Sequence, residues 1–198
     1  MSAADPRTPT YPIDPLFTDR WSPRAFDGGA IEPSALMTLL EAARWAPSAY
    51  NMQPWRFVYA LRDTPQWDTL INTLIPFNQG WAASASALIY VLSGRFVRDT
   101  DGAMKGDSYS HSFDAGAAWA MLALQAVRSG LSAHGMTGFD VDAARTAMAV
   151  PEDYRIEAAI AIGRIGDPAN LAEGLRAREA PSGRAPLDQL VFEGVFNA

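Results

Sequence analysis

The chain of 198 residues has no cysteine. Disulfide staples, thiolate nucleophiles and cysteine-held metals are therefore excluded. His111 and His134 are the only imidazoles, too few for a multi-histidine zinc site. Lys105 is the sole lysine, so arginine carries nearly all the positive charge. The formal net charge is −6, which argues against nucleic acid or an acidic membrane as a partner. No apolar run approaches the roughly 20 residues that span a bilayer. Residues 1–10 are polar and contain prolines, without the apolar core of an export signal. The expectation is a cytoplasmic protein with no membrane partner.

What is present reads as one folded domain. The apolar fraction is 48%, enough for a large core. Residues 1–15 carry Pro6, Pro9, Pro12 and Pro15 and read as an irregular arm; residues 16–198 read as a single domain. Helical spacing of Leu36, Leu39, Leu40 and Ala43 predicts a helix over 33–45, opened by Pro33 and ended before Pro47. Alternation of Trp55, Phe57 and Tyr59 with Arg56 and Val58 predicts a strand. A helix is expected over 66–75, a turn over 76–80 and a buried strand over 87–92. Residues 96–111, polar and glycine-rich, read as a mobile loop. Asp114 is expected to cap a long helix reaching 129, apolar on most faces, with Gly130 as its stop. A short helix over 142–148, a buried strand over 158–162, a loop over 181–186 and an apolar tail over 187–196 complete the pattern. No glycine-rich dinucleotide loop or Walker loop is present. The class is α+β, a central helix against a mainly antiparallel sheet.

Four segments carry residues suited to chemistry. Arg20-Trp21-Ser22-Pro23-Arg24 concentrates two guanidinium forks and a hydroxyl, donors that suit a phosphate. Ala46-Pro47-Ser48-Ala49-Tyr50-Asn51-Met52-Gln53-Pro54-Trp55 is a polar, proline-bounded loop between a helix pattern and a strand pattern. His134-Gly135-Met136-Thr137-Gly138 places two glycines where backbone can approach a ligand closely. Pro181-Ser182-Gly183-Arg184 is a late loop with one arginine. Asn78 sits before the second strand, where its amide suits either an Asx turn or a ligand. His134 reads as a satisfied interior histidine rather than a catalytic acid.

From about Arg20 to Phe192 the pattern resembles the nitroreductase family of FMN oxidoreductases, most strongly over 41–57. The resemblance implies an intertwined homodimer with FMN at the interface, wrapped by the arm and by a tail carrying Leu190, Val191, Phe192, Val195 and Phe196. It implies that Arg20, Trp21, Ser22, Arg24 and Arg184 hold the cofactor near its phosphate. It implies that Pro47, Ser48, Ala49 and Asn51 reach the ring of the partner subunit's FMN, with Gln53, Pro54 and Trp55 locking that loop onto its strand. Asn78 falls where a family asparagine bonds a ribityl hydroxyl or ring edge, and Met136, Thr137 and Gly138 where main chain lies beside flavin N5. Two positions depart from the family pattern: Thr137 replaces a glutamate found in several members, and Ser182 replaces a basic residue.

The activity implied is ping-pong transfer of electrons from NADH or NADPH through flavin N5 to a nitroaromatic or quinone-like acceptor. Such chemistry asks the protein for positioning and electrostatic tuning, and no catalytic side chain is assigned. Two other readings stand beside it: an FMN protein that dehydrogenates a biosynthetic intermediate, and a flavin-free dimeric interaction protein.

Overall fold

The computed structural model describes residues 7–196. Positions 1–6 of the expected arm, Pro6 among them, and the last two of the expected domain lie outside the described residues. The helices and strands, in chain order, are α1 (Pro15–Asp19), α2 (Pro33–Arg44), β1 (Trp55–Leu61), α3 (Pro65–Ile71), α4 (Pro76–Ala82), β2 (Ala87–Gly94), β3 (Phe96–Arg98), β4 (Met104–Asp107), α5 (His111–Arg128), β5 (Ser132–Met136), α6 (Val141–Ala147), β6 (Tyr154–Gly163) and α7 (Glu173–Arg176).

Four strands form one sheet in the order β1-β2-β6-β5, and every neighbouring pair is antiparallel. Its two central strands are apolar on both faces, so helices must cover both sides. Ala87, Ile89 and Val91 of β2 join Ile160 and Ile162 of β6 against α2 and α5. Leu88, Tyr90 and Leu92 join Ala159 and Ala161 on the other face, against α3 and α4. The result is an α+β domain with one sheet between two helical layers.

The long helix α5 lies close to the sheet because its buried face is mostly small: Ala115, Ala118, Leu122 and Ala126. It ends in a Schellman turn. Gly130 adopts φ +68°, Gly130 N–H donates to the Val127 carbonyl at 3.1 Å, and Leu131 N–H donates to the Ala126 carbonyl at 2.8 Å. β5 follows at once and becomes an edge strand. Three glycines set close contacts beside it. A Cβ on Gly135 would lie 3.2 Å from the Trp119 ring, one on Gly138 2.5 Å from Asn78 Nδ2, and one on Gly166 2.4 Å from the Phe26 carbonyl oxygen.

The structure revises several sequence-based boundaries. The expected turn over 76–80 is the helix α4, because Pro76 sits at a first helical position and Asn78 and Trp81 turn into the core. The helix expected over 66–75 ends at Ile71, after which Leu74 forms a bridge with Phe139. The strand expected over 158–162 runs from Tyr154 to Gly163. Residues 96–111 are not an unstructured loop; they fold mainly as the β3–β4 ribbon, tied down by Arg98–Asp153 at 2.7 Å and Lys105–Asp99 at 2.8 Å. Helix α5 starts before Asp114, which lies in its first turn with its side chain buried. The arm ends in α1, whose first turn is capped by the Asp14 carboxylate accepting from Leu16 N–H at 2.8 Å.

Candidate functional site

A cleft of about 780 Å³ opens where the end of β5 meets the middle of α5. Its apolar wall is Trp119, Ala120, Ala123 and Leu124 of α5, closed by Phe17 of α1. Its opposite side is the stretch His134 to Gly138 together with Asn78. A second chamber of about 290 Å³ shares Arg20, Ser22 and His134 with the cleft and adds Trp21, Arg24, Arg178, Ser182 and Arg184. One continuous depression therefore has an aromatic-walled half and a half lined by four guanidinium groups.

The arginine half is built from two segments far apart in the chain. Arg20 Nη1 donates to Ser22 Oγ at 3.2 Å. Burial, then the positive charges of Arg184 and Arg7, lower the pKa of Arg20 from its ordinary value. Mutually repelling guanidinium groups on one concave surface favour an anion, and a phosphate accepts their forked donors. Arg7 donates to the carbonyls of Ser182 at 2.9 Å, of Arg20 at 3.0 Å and of Thr18, and so joins the two segments. Arg184 donates to the Ser182 carbonyl at 3.1 Å and to the Gly183 carbonyl at 2.8 Å.

His134 stands between the two halves. Its Nδ1 lies 2.8 Å from the Pro23 carbonyl oxygen, so the proton sits on Nδ1 and is donated there. Its ring packs on Trp81, centroids 4.6 Å apart. Burial lowers its pKa, opposed in part by the hydrogen bond to Pro23. The neutral imidazole is an interior, satisfied group, as the sequence indicated.

Asn78 is present in the cleft wall, but its amide is engaged by the protein. Nδ2 donates to the Gly138 carbonyl at 2.9 Å and Oδ1 accepts from Trp81 Nε1 at 3.2 Å. It is not a simple Asx turn: it braces the turn after β5 while lining the cleft. Met136 is buried while Thr137 is exposed at the cleft. Arg20, Ser22, Asn78, Met136, Thr137 and Gly138 thus line the cleft, and Arg20, Trp21, Ser22, Arg24 and Arg184 line the basic chamber.

Pro47, Ser48, Ala49 and Asn51 line neither half in the same protomer. Their loop is held at the N-terminal end of α5, where Ala49 N–H donates to Asp114 Oδ2 at 3.2 Å. Five residues of helix, about 7.5 Å at 1.5 Å per residue, separate Asp114 from Trp119 in the cleft. The loop is unusual in its backbone: Tyr50, Asn51 and Gln53 have φ of +50°, +55° and +48°. Non-glycine residues in that region cost on the order of 1 kcal/mol or more each. Ser48 Oγ, accepting from Gln53 N–H at 3.0 Å, holds the conformation, and buried Pro54 and Trp55 lock it to β1. Tyr50 is fully exposed.

Sequence reasoning did not single out Phe17, Trp119, Arg178 or Glu179. Trp119 carried one signal: a large aromatic interrupts a run of alanines. Arg178 lies in Arg176-Ala177-Arg178-Glu179, where no spacing marks one arginine over the other. No local pattern marked Glu179, whose side chain is 1% exposed beside Arg24. Among the described residues no cluster of three potential metal ligands occurs. No helix there is long and apolar enough to cross a membrane.

Comparison with known proteins agrees with this geometry. The sequence model of the Nitroreductase family matches residues 17–164. A solved structure described as an oxidoreductase containing FMN superposes with a TM-score of 0.94 at 46% identity, covering 100% of this chain and 99% of that one. A Desulfovibrio desulfuricans protein described as a nitroreductase, solved in complex with FMN, has a TM-score of 0.69 at 26% identity, covering 94% of this chain and 100% of that one. A Streptomyces coelicolor protein named for NADH dehydrogenase/NAD(P)H nitroreductase activity is 34% identical over 85 residues, 43% of this chain and 42% of its own length. With the family model spanning most of its length, an antiparallel sheet between helical layers and a two-part cleft beside its central helix, this chain belongs to the nitroreductase family.

Proposed function

We propose that the protein is an FMN-dependent oxidoreductase that takes electrons from NADH or NADPH and delivers them to a nitroaromatic or quinone-like acceptor in a ping-pong cycle. The observation that carries the proposal is the joined depression: an aromatic-walled cleft large enough for a planar tricycle, opening into a chamber of four arginines. Those residues fit a flat ring with a phosphorylated tail. Arg20, Ser22, Arg24 and Arg184, with Arg178, would hold the phosphate, and Trp119 with the 136–138 turn would border the ring. When bound, FMN supplies two-electron redox chemistry between nicotinamide and acceptor.

The protein's own part is to bind, orient and exclude water. Trp119 and Phe17 give the cleft low polarity, which strengthens hydrogen bonds made inside it. His134, neutral and donating to Pro23, keeps the Ser22–Arg24 segment in place rather than moving a proton to substrate. The exposed Thr137 offers a hydroxyl but no carboxylate, so protons for the acceptor come from water or from the acceptor's own groups.

A homodimer belongs to this reading. Exposed Phe113 and Met121 on α5, Tyr11 and Ile13 in the arm, and Leu190, Val191, Val195 and Phe196 in the tail leave a protomer with much uncovered apolar surface. A second copy would cover it and bring Pro47, Ser48, Ala49 and Asn51 toward the partner's cleft. The strained backbone of that loop supports a ligand-facing role. The reading includes a cytoplasmic setting, where reduced nicotinamide cofactors are supplied.

The test is an absorbance spectrum of the purified protein, with the released chromophore identified by mass, followed by NADH and NADPH oxidation with and without menadione or nitrofurazone. Released FMN near one per chain and acceptor-stimulated oxidation are expected. A folded protein that neither carries nor binds FMN would overturn the proposal. A flavoprotein stimulated by no acceptor would leave FMN in place and overturn the reductase activity.

A further inference from the structure

Glu179 presents a contradiction. It buries a carboxylate behind a chamber whose fixed charges are those of Arg20, Arg24, Arg178 and Arg184, where it opposes the binding of an anion. Its side chain is 1% exposed. Oε1 accepts from Arg24 N–H at 2.6 Å and from Ala25 N–H at 2.8 Å. Oε2 is buried without a hydrogen-bond partner, and Arg24 Nη1 stands 3.9 Å from it. A buried acceptor left half-used is costly, so the arrangement needs a compensating role.

That role is legible in what Glu179 grips. The segment 22–25 is held from several sides. The Pro23 carbonyl accepts from His134 at 2.8 Å, the Arg24 and Ala25 N–H groups donate to Glu179, and the Ala25 carbonyl accepts from Gly166 N–H at 2.8 Å. Successive peptide groups are thus fixed by groups outside the segment, with no helix or strand to hold them. The clamp also spans 155 positions of sequence. It fastens the loop bearing Arg178 and Arg184 to the segment bearing Arg20 and Arg24, which is the joint that makes the chamber. Beside Arg24, Oε2 gives the guanidinium a fixed counter-charge at 3.9 Å, too long for a hydrogen bond, which leaves its forked donors for another anion.

We propose that Glu179 is the positioning residue of the anion chamber: it assembles the two arginine-bearing segments and aims Arg24, so that a phosphorylated ligand is selected over its unphosphorylated form. This rests on the FMN reading above.

The experiment compares binding of FMN and riboflavin, which differ only in the phosphate, by quenching of flavin fluorescence on flavin-stripped wild type, Glu179→Ala and Glu179→Asp. Removing the acceptor of two N–H groups should raise the Kd for FMN by about tenfold or more while leaving that for riboflavin unchanged. Glu179→Asp, whose carboxylate is withdrawn by one methylene, should show the same selective loss to a smaller degree, and it decides the matter if Glu179→Ala does not fold. Unchanged FMN affinity in the folded variants would overturn the inference. So would equal weakening of FMN and riboflavin, which is the signature of general packing. Wild type that binds neither flavin would instead overturn the FMN reading on which the inference rests.

Discussion

The turn after β5 offers the sharpest test of how packing sets the cleft. Gly138 has no left-handed backbone requirement, so replacing it by alanine acts through space alone. The added Cβ would lie 2.5 Å from Asn78 Nδ2 and 2.8 Å from Ile75 Cδ1. Ile75 is 42% exposed and can swing away. Asn78 cannot: it is buried between the Gly138 carbonyl and the Trp81 indole. Overpacking costs about 1–3 kcal/mol, and the lost hydrogen bond adds about 1 kcal/mol. Gly138→Ala should therefore destabilise by about 2–4 kcal/mol, read as a lower urea midpoint at unchanged slope. In an Asn78→Ala background the clashing atom is gone, and the same change should cost less, with a coupling of about 1–2 kcal/mol. Gly80→Ala is the control, since nothing lies within 4 Å of its added Cβ. In α4 it should stabilise by about 0.5–1 kcal/mol. Additive costs for Gly138→Ala and Asn78→Ala would refute the claim that the asparagine braces this turn.

Arg20→Ala with Arg24→Ala should weaken FMN by about 1.5–3 kcal/mol for each charged hydrogen bond lost, measured by fluorescence titration; unchanged affinity would remove the phosphate assignment. His134 has a folded-state pKa below its ordinary 6.5, so the unfolded chain binds its proton more readily. Its stabilising contribution is complete above about pH 6.5 and is lost as pH falls below that toward the depressed folded value. Urea midpoints between pH 5 and 8 should show this loss in wild type and a flatter profile in His134→Asn. Asp114→Ala leaves Ala49 N–H and Ser110 Oγ without the acceptor they share at 3.2 and 2.9 Å. It should cost about 1–3 kcal/mol and speed hydrogen exchange at residues 48–53.

What was readable in advance follows the range of the interactions. The helix over 33–45, the strand from Trp55 and the double-faced strand from Ala87 appear where their periodicities placed them, because burial of one face or two is written in successive residues. Gly130 ends α5 as expected because a left-handed cap is a local need. Pro76-Phe77-Asn78-Gln79-Gly80 misled, since proline, asparagine and glycine mark turns as well as first helical turns. Only the core contacts of Trp81 and Asn78 tip that segment to helix. The ribbon over 96–107 was hidden because its pairing and its Arg98–Asp153 bridge are tertiary.

The amino-acid sequence by itself determined the class, the sheet's buried strands, the exclusion of thiol chemistry and of cysteine-held metals, and a family resemblance centred on residues 41–57. Those properties depend on composition and on near neighbours. Tertiary structure alone decided that Arg178 joins Arg20, Arg24 and Arg184, that Trp119 of α5 faces the cleft, and that the Asn78 amide bonds Gly138 and Trp81. It alone revealed Glu179, a carboxylate whose purpose is invisible until the backbone it holds, 155 positions away, is folded against it. A local pattern cannot encode such a meeting, because the hydrogen bonds that define it exist only after the sheet and both helical layers have closed.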